Sequence, residues 1–173
     1  MNTYEILRKL GTAAVISALA LGSTQAADYS AGATANVITP LTIVEDVVMH
    51  FGDISGGGTA GTVVLATDDS RTVTGGAQVL ASGAGAAGQF TVTGGTGLVY
   101  AISFSAGSLD VAGGGLPMVV NTFTTNGFTG TLTGGNETFA VGATLQVGAN
   151  QPPGAYSTAF GAGSSYTVTF NYN

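Results

Sequence analysis

From residue 28 onward, apolar and polar side chains alternate in short runs. Phe90 and Val92 alternate with Gln89, Thr91 and Thr93; Tyr100, Ile102 and Phe104 with Ala101 and Ser103; Tyr166, Val168, Phe170 and Tyr172 with Thr167, Thr169 and Asn171. A period of two is the mark of strands with one buried face. Weaker strand candidates are Thr62 to Ala66, Met118 to Thr124, Phe128 to Thr133, Glu137 to Val141, Thr144 to Val147 and Ala155 to Phe160. Residues 45–51, rich in β-branched and aromatic side chains, also read as strand.

Glycine clusters at Gly56–Gly58, Gly75-Gly76, Gly94-Gly95, Gly113–Gly115 and Gly134-Gly135 separate these runs. About nine or ten strands, no convincing helix, and turn signals every 8 to 12 residues or so predict an all-β sandwich or barrel. The gaps between clusters vary, which argues against a solenoid. A hydrophobic fraction of 45% with regularly placed aromatics argues against disorder.

The N-terminal region follows another pattern. Arg8 and Lys9 precede an apolar run from Leu10 to Leu21, and small residues follow at Ser23-Thr24-Gln25-Ala26-Ala27. This arrangement predicts a secretory signal peptide over residues 1–26, cleaved after Ala26 or else after Ala27. The run is shorter than the roughly 20 residues a membrane-spanning helix requires. An exported product with no transmembrane segment is expected.

Composition narrows the partners. Of three Lys+Arg and nine Asp+Glu, Arg8, Lys9 and Glu5 lie in the leader, so the remainder keeps Arg71 alone against eight carboxylates. Nucleic acids and anionic membrane surfaces are bound through Lys and Arg, and neither is expected as a partner. The chain has no cysteine, so stability must come from core packing and backbone pairing.

Catalytic constellations are sparse. His50 is the one histidine, and its place within Val48-Met49-His50-Phe51 suits a strand or strand end better than a metal site or triad. Glu45-Asp46 and Asp68-Asp69 are adjacent carboxylates, and neighbours on a strand face opposite ways. Asp68-Asp69-Ser70-Arg71 reads as a hairpin turn in which Arg71 pairs locally; calcium on Asp68, Asp69 and Asp53 is the alternative there. No enzyme activity, cofactor or resident metal is expected.

The segment after the leader stands out. Tyr29, Ala31, Ala33, Ala35, Val37, Thr39, Leu41 and Ile43 form one row of a long single-faced strand, in which Pro40 marks an edge, a bulge or a change of sheet. It could pair within its own domain, or leave it and complete the sheet of another subunit by β-strand addition.

Ala35-Asn36-Val37-Ile38-Thr39-Pro40-Leu41-Thr42-Ile43, His50-Phe51-Gly52-Asp53-Ile54, Val141-Gly142-Ala143-Thr144-Leu145, Gln151-Pro152-Pro153-Gly154-Ala155-Tyr156-Ser157 and the closing Tyr166 to Tyr172 resemble the bacterial secreted family named domain of unknown function 4402. That resemblance implies an exported all-β domain and supplies no catalytic residues. Phe51-Gly52 and Tyr172 before the terminal Asn173 more distantly resemble chaperone-usher pilus subunits and spore coat protein U-like proteins. In that group the last strand is handed to a periplasmic chaperone before assembly. The absence of a disulfide departs from many of its members.

The resulting expectation is an immunoglobulin-like antiparallel β-sandwich over residues 41–173, preceded by a strand segment over 27–40. It would be a structural protein of the cell surface or extracellular space that polymerises with itself. Tyr29, Ala31, Ala33, Ala35 and Val37 would be the donor row. Tyr166, Val168, Phe170 and Tyr172 would line the edge offered to the donor or to a chaperone. A monomeric adhesin or carbohydrate-binding module is the alternative, with Tyr156 and Phe128 as its candidate aromatics; an ice- or surface-binding protein would need a wider threonine face than Thr91, Thr93 or Thr129, Thr131, Thr133 supply.

Overall fold

The computed structural model describes residues 26–173. The expected signal helix falls before them, apart from Ala26. The chain divides between Asn36 and Val37. Residues 26–36 carry no secondary structure and are exposed throughout.

Val37–Asn173 form a compact all-β unit with thirteen strands among the described residues: β1 (Thr42–Val47), β2 (Ile54–Ser55), β3 (Gly61–Leu65), β4 (Arg71–Gly75), β5 (Gln78–Val79), β6 (Gly88–Thr93), β7 (Val99–Ser105), β8 (Gly107–Val111), β9 (Met118–Thr125), β10 (Thr129–Thr131), β11 (Asn136–Val147), β12 (Tyr156–Ser157) and β13 (Thr167–Tyr172). The larger sheet runs β1-β6-β11-β9-β8-β12, with the β3–β4 hairpin joined to β11. The smaller sheet runs β10-β7-β13, and β2 pairs with β5. Pairing is antiparallel throughout. This is the expected antiparallel sandwich, with more and shorter strands than the nine or ten anticipated.

β11 is the spine of the larger sheet. On one side its first half pairs with β6 and its second half with β3, while β9 pairs on the other side. The two candidates Glu137 to Val141 and Thr144 to Val147 are therefore one continuous strand. Gly142 sits where the β9 register shifts, and a Cβ there would run into the Leu65 carbonyl oxygen. The Val99–Val111 stretch changes sheets near Ala106, so that β7 pairs with β13 and β8 with β9.

Two clusters form the core. Phe90, Val92, Tyr100, Ile102, Leu132, Phe139 and Val141 make one; Phe51, Val63, Leu65, Met118, Val120 and Leu145 belong to the other; Met49 and Phe123 touch both. Phe90 and Phe139 lie directly opposite in register and stack with centroids 5.4 Å apart. Period-two burial is as expected on β6 and β13.

The N-terminal expectation needs correcting. The row from Tyr29 to Ile43 is a strand only from Thr42; residues 26–41 have no assigned strand. A period of two permits a strand, but ladder hydrogen bonds form one, and residues 26–41 have no partner strand in the described structure. The Asp68–Arg71 hairpin turn is present, with Asp69 at φ 66° and the Ser70 amide and hydroxyl both donating to Asp68 Oδ1.

Leu145 is fully buried, and Leu145→Ala should destabilise the fold by about 2–5 kcal/mol. The check is a lower urea midpoint with an unchanged slope.

Candidate functional site: a groove between two free strand edges

β1 lies at the edge of the larger sheet and β13 at the edge of the smaller. Ile43 pairs with Val92 and Glu45 with Phe90. Directly opposed residues share a face of the sheet, and Val92 and Phe90 are buried, so Ile43 and Glu45 face the interior. Ile43 is nevertheless 40% exposed, and β1 is exposed along its whole length. The smaller sheet stops at β13, and no described strand lies over this part of the larger one.

The result is an open groove of about 1040 Å³. Its floor is the core itself, with Phe51, Phe90, Met118, Val120 and Leu145 reaching the opening; Ile43, Glu45 and Val48 form one wall, and Tyr166, Val168 and Tyr156 the other. Glu45 and Asp53 bring carboxylates to the lining, and no Lys or Arg is part of it. The groove is apolar at depth and acidic at the rim.

Arg71 holds one wall in place. Its guanidinium donates to the carbonyl oxygens of Phe51 (2.8 Å), Leu80 (3.2 Å) and Asp53 (3.4 Å), all residues of the lining. The expected local pairing of Arg71 in its turn is thus replaced by a reach across to residues 51–53 and 80. Gly52, at φ +68°, lies beneath the guanidinium, and a Cβ there would collide with Arg71 and the Gly83 and Ala84 carbonyls. Beside it, the His50 amide donates to the Ala86 carbonyl and the Ala86 amide returns the bond, which leaves the exposed imidazole on the lining.

Tyr166 spans the gap between the sheets. Its ring packs on Phe123 at 5.2 Å, and a Cβ on Gly88 of β6 would come within 3.1 Å of its hydroxyl. That hydroxyl is buried without a hydrogen-bond partner. Glu45 is near enough to act on it: burial first, then the negative charge and hydrogen-bonding approach of Glu45, push the phenol up to about 12. Tyr100 is pushed up to about 12 as well, by burial and by the hydrogen bond it donates to Glu137 Oε2 at 2.8 Å.

The expected acceptor row divides into two pairs. Tyr166 and Val168 line the groove. Phe170 turns into the core, 4.9 Å from Phe139 and 5.3 Å from Tyr100. The Tyr172 hydroxyl accepts from the Gly95 amide at 2.7 Å and donates to the Thr39 carbonyl at 2.8 Å. With Leu41 packed on the same core cluster, this closes the β13 end opposite Tyr166. Of the expected donor row, Tyr29 and Val37 are each 92% exposed, and Ala31, Ala33 and Ala35 are exposed too.

The loop aromatics differ from one another. Tyr156 faces the groove half-buried, donating to the Pro152 carbonyl at 2.8 Å and accepting from Gln151 Nε2 at 3.0 Å. Phe128 is 49% exposed and meets Phe104 edge-on. Asp68 accepts from Ser70, Asp69 from the Ala87 amide and Asp53 from the Ser82 hydroxyl. Among the described residues no three His, Cys, Asp or Glu side chains converge as a metal site, and no helix is long and apolar enough to cross a membrane. As a strand, β1 overlaps the rows read at Tyr29 to Ile43 and at residues 45–51; its place as a wall of the groove depends on strand order, and an acidic residue on the inward face of an edge strand, as at Glu45, is the local signal of it.

Residues 41–172 match the family described as Domain of unknown function (DUF4402), and the chain belongs to that family. The match takes in every strand from β1 to β13 and leaves out the segment 27–40. No curated protein matches the chain, and no solved structure does.

Replacing Arg71 by Met strands three carbonyl oxygens and should lower stability by about 1–3 kcal/mol, measured by chemical denaturation. The raised Tyr100 and Tyr166 values set an alkaline limit. Unfolding returns both phenols to their ordinary value near 10, so their contribution is intact below about pH 10 and is lost as pH rises through about 12. The melting temperature should fall over that interval, and by less in Tyr100→Phe.

Proposed function

We propose that this member of the DUF4402 family is an exported structural subunit that assembles with copies of itself by β-strand addition at the cell surface or outside the cell. Residues 27–38 of one copy enter the groove of the next, lie along the free edge of β13 and extend the smaller sheet over β1, while Thr39 stays bound to Tyr172 of its own chain. Tyr29, Ala31, Ala33, Ala35 and Val37 face inward, and Tyr166 and Val168 receive them. A periplasmic chaperone offering a strand of its own to the same edge belongs to this reading.

The observation that carries it is the unfilled groove between two free strand edges. A free edge presents unpaired N–H and C=O groups that template another strand, and the opening beside it has an apolar floor. The exposed segment supplies a suitable occupant, alternating in period two and free of secondary structure. The twelve residues 27–38 reach about 40 Å when extended, against about 20 Å for six-residue β13. A glycan-reading module would present several solvent-facing aromatics on one surface; Tyr156 is turned into the groove, and Phe128 packs edge-on against Phe104.

Electron microscopy of purified residues 27–173, beside the same chain lacking 27–39, tests the proposal. Filaments are expected from the first and none from the second, which a synthetic peptide of residues 27–39 should stabilise against heat. A monodisperse monomer from the complete 27–173 chain contradicts it.

A further inference from the structure

Strand addition would change the surroundings of two polar groups in the groove. Glu45 faces inward on β1, a strand exposed along its whole length, so water reaches it through the opening. Tyr166 places an unpartnered hydroxyl at the same spot. A strand laid over them removes that water. If the side chain above is apolar, the carboxylate loses its water and keeps at most the one hydrogen of Tyr166, its other lone pairs unsatisfied, which is costly in a protein interior. An occupant that brings a further donor therefore fits this position better than a wholly apolar one.

Among the inward-facing donor residues, three are alanine and one is valine; Tyr29 alone carries a polar hydrogen. Thr39 continues the row, but Tyr172 of its own chain holds its carbonyl. Tyr29 also has the bulk that alanine lacks for a groove of about 1040 Å³. A phenol both donates and accepts, so one hydroxyl can donate to Glu45 and accept from Tyr166.

We infer that the groove has a specific seat for tyrosine, in which Tyr29 of a second copy places its hydroxyl between Glu45 and Tyr166 and so fixes the register of the inserted strand. This rests on the strand-addition reading. It adds to that reading a chemical requirement on the donor.

The test uses the complete 27–173 chain, with self-association followed by sedimentation and folding of each variant checked by its thermal melt. Tyr29→Phe should weaken association about tenfold or more, the range for a hydrogen bond to a charged group. The double variant Tyr29→Phe with Glu45→Leu should recover most of that loss, because exchanging both polar partners for apolar groups leaves no carboxylate stranded, and the Tyr166 hydroxyl is then no worse placed than in the dilute chain. Tyr166→Phe should leave the melt of the dilute chain unchanged or raised while weakening association. Wild-type association that is indifferent to Tyr29→Phe overturns the seat alone, as does a double variant weaker than either single one. A wild-type chain that never associates overturns the seat together with the strand-addition reading.

Discussion

Everything in this structure turns on a mismatch between its two sheets. The larger sheet continues out to β1, and the smaller one stops at β13, so part of the larger sheet's inner face has no opposing layer. A sandwich gains its stability by burying the inner faces of both sheets against each other. Here that burial is incomplete at one place, and the same place exposes the backbone edge of β13. Ile43 shows the consequence directly, facing the interior beside fully buried Val92 while remaining 40% exposed.

An uncovered groove in a soft structure would collapse, and this one is braced on several sides. Arg71 ties down the carbonyls along residues 51–53 and 80, at the cost of the only cation among the described residues. Tyr172 fastens β13 to the Gly95 amide and the Thr39 carbonyl. Buried Asp110 accepts from its neighbour Val111 and from Ala162, linking β8 to the loop that leads into β13. Each brace uses a polar side chain to satisfy backbone groups of a second segment, which suits a chain with no cysteine and a single Lys or Arg among the described residues. A pre-formed opening loses less entropy on filling than one that must first be created.

The sandwich was legible wherever one face of a strand is buried and the other wet, since that alone produces alternation. β6, β7 and β13 satisfy the condition and were read from Phe90, Ile102 and Phe170 and their neighbours. β8 was missed because Gly107-Ser108-Leu109-Asp110-Val111 buries a glycine and an aspartate in place of large apolar residues. The two-residue strands β2 and β5 are too short to carry any pattern. The segment after Tyr29 has the pattern without the strand, because alternation records which face could be buried and pairing decides whether a strand forms. The groove was half visible: Tyr166 and Val168 stood out in the last strand, whereas β1, Met49 and Phe51 enter through strand order. The reach of Arg71 across the fold left no trace in local sequence.

Whether the free edge of β13 accepts a strand can be read from amide hydrogen exchange across Thr167–Tyr172. In the dilute 27–173 chain, alternate amides of β13 point to β7 and should be protected, while those between them face the open edge and should exchange quickly. At concentrations where copies associate, both sets should exchange slowly. Fast exchange at the outward amides in the associated chain, or full protection already in the dilute one, would contradict strand addition at this edge.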